Sequence, residues 1–217
     1  MKEKRMTRRI IQYILGLIGM ALCAVMLKKA SLGISPITSL PAAVSDITPF
    51  TLGNVTIMLH ALCVLGQILC VRRITLKNIL TFFVGFPFGY MIDGLMLIVP
   101  AATGIVMRAV YLPIALAVGG LGVRLIVGCD LMLPAPDALN HTISQVFHKK
   151  LSNVKIIADA IYVILALVID LVFTHRVSSI GIGTVFSVLL TGRFVGWFTV
   201  WFPKLTLDPL WKQPQGK

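Results

Sequence analysis

Acid is what this chain has least of. Of 217 residues only 8 are Asp or Glu, against 20 Lys or Arg, and charged residues make up 13% while hydrophobic ones make up 57%. A soluble domain carries about 25% charge. This chain has too little to cover a water-facing surface, which excludes a cytosolic enzyme, a disordered chain and a secreted disulfide scaffold. Glutamate occurs once, as Glu3 in the N-terminal tail, so a His-Glu-x-x-His zinc site is impossible. Cys23, Cys63, Cys70 and Cys129 form no Cys-x-x-Cys pair, and no His stands at ligand spacing. No disulfide, metal or cofactor is expected. There is no Gly-rich phosphate loop and no Gly-x-Gly-Asp, so enzyme chemistry is not expected either.

What is present instead is a series of apolar runs long enough to cross a bilayer, which needs about 20 residues at 1.5 Å each. Six are predicted: Ile10–Leu27, Leu52–Val71, Ile79–Val99, Ala109–Gly128, Val154–Phe173 and Ile180–Phe202. The class is all-α and polytopic. The first run follows Lys2, Lys4, Arg5, Arg8 and Arg9, as a signal peptide would. It is too long for a typical signal core, has no small-x-small cleavage site, and is read as a span.

The formal net charge of +12 could point to nucleic acid or anionic lipid. The basic residues sit in short clusters between apolar runs, with no basic helix face, so nucleic-acid binding is rejected in favour of membrane topology. With a cytoplasmic N-terminus, fourteen Lys and Arg fall on the inside and four (Lys28, Lys29, Arg108, Arg176) on the outside. Both termini, residues 1–9 and 203–217, are expected to be cytoplasmic.

Two connections are unusually long. Ala30–Thr51 and Cys129–Asn153 carry prolines and small polar residues, with apolar ones at helical spacing (Leu40, Val44, Ile47; Leu139, Ile143, Val146). Each is predicted to be a short amphipathic half-helix after a proline-bearing turn. It either re-enters the bilayer or lies on its surface.

The halves also resemble each other. A shift of 99 residues gives nine identities across Ser31–Val71, among them Leu40 with Leu139, Asn54 with Asn153, Ala61 with Ala160 and Val64 with Val163. It also lays Arg9 on Arg108. Four residues more aligns Thr81 with Thr184, Phe83 with Phe186 and Gly89 with Gly192. Three spans per unit is an odd number, so the second unit (108–202) is expected to sit upside-down relative to the first (10–99): a 3+3 inverted repeat. Paired broken segments in such repeats point to a solute site near the midplane.

The stretch Leu32-Gly33-Ile34-Ser35-Pro36-Ile37-Thr38-Ser39-Leu40, with Phe50-Thr51-Leu52-Gly53-Asn54 and, in the second half, Leu131 to Leu139 with Pro136-Asp137, resembles the YczE/YyaS/YitT-type group of integral membrane proteins. That resemblance implies a bacterial plasma-membrane protein and brings no biochemical activity with it.

Ionisable residues inside spans cost roughly 2.5–3.5 kcal/mol at a helix centre and are functional candidates for that reason. They are Asp93, Arg124, Asp159, Asp170 and Arg193. A carboxylate here either exchanges a proton or ion beside a solute or forms an interhelical pair. Asp159 also shares a helix face with Lys155 and can pair with it. Arg124, near a span end, is read first as a snorkelling side chain. Asp93 shares its helix with Gly85, Pro87, Gly89 and Gly94, and Gly192 and Gly196 give a small-x-x-x-small surface on the last span.

In the half-helix segments, Ser35, Thr38, Ser39, Asp137, Asn140, His141 and Ser144 supply donors and acceptors. They either cap the half-helices or meet a solute at the helix N-terminus. The binding candidates are accordingly Ser35, Thr38, Ser39, Asp93, Asp137, Asn140, His141, Asp159 and Arg193. The expected function is transport of a small solute, with bilayer lipid around the bundle and a homodimer possible. The alternative is a non-transporting accessory or regulatory membrane protein.

Overall fold

The computed structural model describes residues 2–129 and 131–201, without the side chains of 2–5 and 77. The predicted C-terminal tail lies outside the described residues. Every described element is helical: α1 (Lys2–Ala30), α2 (Pro36–Ile47), α3 (Leu52–Val71), α4 (Leu76–Ile98), α5 (Ile105–Cys129), α6 (Ala135–Val146), α7 (Leu151–Ile169), continued by a π-helical turn (Asp170–Thr174), and α8 (Ile182–Trp201). Six of these, all but α2 and α6, are long and apolar enough to cross a membrane. The two long connections hold α2 and α6, each of 12 residues. At 1.5 Å per residue each reaches about 18 Å, half a bilayer core.

Local chemistry sets the boundaries. Thr51 precedes α3 in extended conformation and its Oγ1 accepts the Asn54 N–H at 3.1 Å; Thr75 does the same for α4 with Asn78. Arg72 ends α3 in the left-handed region at φ 55°. Pro36 follows Ser35 at the first position of α2, and Pro136 sits at the second of α6, where a missing N–H costs nothing. The basic tail is not a separate segment. Lys, Arg and Met are good helix formers with no breaker among them, so α1 runs unbroken from Lys2 into the span.

The core is made by α1 and α5, which cross antiparallel on glycines. A methyl on Gly122 would stand 2.7 Å from the Gly16 carbonyl oxygen, and one on Gly119 would stand 2.7 Å from Cys23 Sγ. Small residues let the backbones approach where lipid offers no hydrophobic drive to association. Around this pair, α4 packs on α1 and α8 on α5, while α2 packs on α7 and α6 on α3. Gly53 and Gly89 bring α3 and α4 together, a methyl on Gly89 falling 2.7 Å from the Gly53 carbonyl oxygen.

The bundle has two distinct ends. At the end holding Lys28, contacts are dense. Lys28 Nζ meets Asp46 Oδ2 at 2.5 Å. The Ile34 N–H donates to Ser179 O at 3.0 Å, and Gly183 N–H to Leu32 O at 2.7 Å, strapping the α1–α2 loop to the α7–α8 loop. Gly33, at φ +92° and against the Gly181 backbone, allows that approach. Asp170 is fully buried and accepts four hydrogen bonds: from the Ser178 and Ser179 N–H groups on Oδ2 (2.9 and 2.8 Å) and from their hydroxyls on Oδ1 (3.2 and 3.3 Å). At the end holding Arg72, a polar cavity of about 530 Å³ opens between α3, the start of α4, the end of α5 and α6.

Candidate functional site

Both half-helices begin in the middle of the bundle. Their first turns line a cavity of about 100 Å³ with residues from five of the six long helices: Met20 and Cys23 of α1, Thr56 and His60 of α3, Phe88 of α4, Gly119 and Val123 of α5, Ser187 and Thr191 of α8. His60 stands eight residues after Leu52 in a 20-residue helix, and Phe88 twelve after Leu76 in one of 23. Both are half-way along. One water needs roughly 10–15 Å³ on the same measure, so the space suits a small solute or several waters.

Most of the wall is apolar, with a few polar groups set into it. From α2 come Ser35 and Thr38, whose hydroxyl oxygens are 2.9 Å apart; Thr38 Oγ1 also donates to Ser35 O at 3.1 Å. Ser35 precedes α2 in extended conformation without a side-chain cap bond, so these hydroxyls face each other and the cavity rather than capping the helix. From α6 comes Asp137, whose Oδ1 accepts from Lys155 Nζ at 3.0 Å. From α3 comes His60, only 4% exposed, its ring flat against Phe88 (centroids 5.5 Å apart, planes at 9°) and without a hydrogen-bond partner among the described residues. Gly85 makes this position possible: a methyl there would lie 3.1 Å from His60 Nδ1.

The sequence candidates divide cleanly. Ser35, Thr38 and Asp137 meet at this cavity. Ser39 is buried and spends its hydroxyl on Pro36 O at 2.6 Å. His141, one turn after Asp137, lines the larger cavity at the Arg72 end. Asn140 is buried between them with Nδ2 unbonded. Asp159 does not make the predicted pair with Lys155. Asp137, reaching across from α6, takes that ammonium, and Asp159 Oδ1 is buried without a hydrogen bond. Asp93 stands at the Lys28 end. It accepts from Thr51 Oγ1 at 2.6 Å and from Gly53 N–H at 2.8 Å, holding the start of α3 against α4. Arg193 is exposed on the outer face of α8. Arg124 does not snorkel; it is 4% exposed.

His60 is the residue that reading the spans for Asp and Arg misses. The signal was available: histidine inside a span is costly for the same reason, and the 99-residue shift sets His60 opposite Asp159. Thr56, Ser187 and Thr191 carry no such mark, since a hydroxyl in a span is commonplace.

No curated protein and no solved structure matches the chain. A family model described as "Family of unknown function (DUF6198)" matches residues 7–200. That stretch contains both half-helices and every residue lining the two cavities, so the chain belongs to the DUF6198 family.

Proposed function

We propose that this chain is a small-solute permease of the bacterial plasma membrane, working by alternating access around the mid-span cavity. The observation that carries the proposal is the meeting of both half-helix starts with mid-span residues of α1, α3, α4, α5 and α8 in one polar-spotted cavity. Irregular backbone at membrane depth is tolerated where it lines such a space, and a solute site there is what paired broken helices provide.

The two-unit, upside-down construction is part of the same proposal, and the contacts support it. In a two-fold arrangement, residue i touches j and the equivalent of j touches the equivalent of i. Cys63 Sγ lies 3.6 Å from Tyr162 Oη, 99 positions away. A methyl on Gly19 would lie 3.1 Å from Val118 O, also 99 away. Cys23 faces Gly119 and Met20 faces Gly122, a reciprocal pair under the same shift. Asp46, near the end of α2, is bonded to Lys28, whereas Val146, the last residue of α6, lines the cavity at the Arg72 end.

On this reading, with the N-terminus cytoplasmic, the Lys28 end with its Asp170 and Lys28 contacts is the closed external end. The larger cavity at the Arg72 end is then the cytoplasmic approach to the mid-span site. The likeness to YczE/YyaS/YitT-type proteins, a plasma-membrane location and a non-enzymatic role belong to the same reading. Flux of a solute panel in proteoliposomes tests it: uptake of at least one small solute is expected, and none from correctly folded protein overturns it. Reporter tags near residues 45 and 145 are expected on opposite sides of the membrane. One observation favours an accessory role instead. Gly192 and Gly196 stand open on α8, with nothing among the described residues within 4 Å of an added methyl, a face suited to packing of a second copy or another helix.

A further inference from the structure

The mid-span cavity has two unlike poles. At one, α2 begins. Pro36 has no N–H, the Thr38 and Ser39 N–H groups turn back to Ser35 O (3.0 and 2.9 Å), and the Ile37 N–H has no acceptor among the described residues. No acidic residue occupies this first turn, so the positive end of the helix dipole is uncancelled. With Thr38 Oγ1 donating to Ser35 O, the Ser35 hydroxyl donates to Thr38 Oγ1, and the acceptor lone pairs of both lie beside the cavity. At the other pole, α6 carries Asp137 in its first turn. Its Oδ1 is taken by Lys155, and its Oδ2 has no donor among the described residues. Thr38 and Asp137 are 99 positions apart, the same place in each unit. The exchange of hydroxyl for carboxylate, one of several differences between equivalent positions (Ser35 and Pro134, Thr56 and Lys155, His60 and Asp159), makes the two half-helix starts unlike.

A second, independent feature points to a ligand. His60 is more than nine-tenths buried, lines this cavity, and has neither ring nitrogen hydrogen-bonded among the described residues. A buried polar group without a partner is costly, and a polar solute in the cavity would give it one. Much of the remaining wall is apolar, through Met20, Leu59, Phe88 and Val123. Neither Lys nor Arg is among the described lining residues, so an anion alone finds no full counter-charge. A cation alone would face the positive start of α2.

We infer that the cavity binds a small zwitterion with a compact aliphatic body, of the α-amino-acid kind. The carboxylate sits at the start of α2, the ammonium against Asp137 Oδ2, and His60 supplies a further hydrogen bond. The inference rests on the cavity assigned above as the solute site.

The experiment uses the full chain in lipid nanodiscs and isothermal titration with L-valine and three relatives. These are isovalerate, which lacks the ammonium; isobutylamine, which lacks the carboxylate; and isobutanol, which lacks both charges. L-valine is expected to bind at least tenfold more tightly than any of the others. Equal or tighter binding by a relative, or no valine binding, overturns the inference. Asp137→Asn is expected to lower valine affinity at least tenfold and to let isovalerate match or exceed it. Thr38→Asp, with an acid in a first turn where acids suit the helix, is expected to lose valine and gain isobutylamine. Each gained affinity guards against simple misfolding; a variant that keeps the parent's order of preference overturns the assignment. Flux of the same probes separates the two readings. Valine binding without flux of any solute retires the permease and keeps the zwitterion. Flux of another solute class without valine binding does the reverse.

Discussion

Asp170→Asn should unlatch the Lys28 end. The carboxylate holds the α7–α8 loop through two backbone N–H groups at 2.9 and 2.8 Å and two hydroxyls. That loop in turn is strapped to the start of α2 through Ile34 and Gly183. Hydrogen bonds to a charged group contribute about 1.5–3 kcal/mol each, against roughly 0.5–1.5 kcal/mol for neutral ones. An amide keeps the shape and one acceptor oxygen. The two N–H bonds then weaken by about 1 kcal/mol each, roughly 2 kcal/mol in all. If the closed Lys28 end is one of two alternating states, this difference shifts the equilibrium about 30-fold towards the other. The chain supplies its own probe: Cys23 lines the mid-span cavity. In a background with Cys63, Cys70 and Cys129 replaced by alanine, a membrane-impermeant maleimide applied from the Lys28 side of oriented proteoliposomes should label Cys23 about 10- to 30-fold faster in Asp170→Asn than in the parent. Labelling from the Arg72 side should slow. An unchanged rate from the Lys28 side, in protein with parental thermal stability, refutes the latch. Faster labelling from both sides means general loosening and refutes it too.

Other outcomes follow from the same geometry. Asp93→Ala removes the Thr51 and Gly53 bonds and should cost about 0.5–2 kcal/mol, as lost caps do. It should lower the melting temperature in detergent yet leave Cys23 labelling and solute binding unchanged, which separates Asp93 from Asp137. Gly89→Ala drives a methyl against Ile57 and the Gly53 carbonyl. It should cost about 1–3 kcal/mol by overpacking, read as a fall of several degrees in Tm. At Gly192 an added Cβ meets nothing within 4 Å among the described residues, so Gly192→Ala should leave monomer stability within about 1 kcal/mol. A change in oligomeric state by size-exclusion light scattering would identify that face as a contact between copies.

The spans were legible because hydropathy over about 20 residues is a strong signal. Leu52–Val71 is matched to the residue, and the other five differ by a few residues at their ends, α1 most of all, since basic residues continue a helix beyond the bilayer. The half-helices were legible as well, from Pro36 and Pro136 opening apolar-periodic stretches. Which side chains share a cavity was not, because that depends on how deep each connection dips. Ser35, Thr38 and Asp137 were marked by their place at the start of a half-helix. A lone carboxylate in a span reads alike whether it meets a solute or braces a neighbouring helix; the structure sets Asp93 against Thr51 and Gly53, which no spacing in the sequence indicates. The Lys155 pairing went to Asp137 because a partner from another helix is invisible to i, i+4 spacing.

The meeting of Cys63 with Tyr162 has an evolutionary corollary. If the chain arose from a gene for one half that once assembled as a pair, that ancestor had to place the same residue at this point twice. Two tyrosines would overfill it and two cysteines would leave a hole. On the proposed two-unit reading, a small thiol beside a large phenol is a pairing open only after fusion, when each copy could change without dragging the other along.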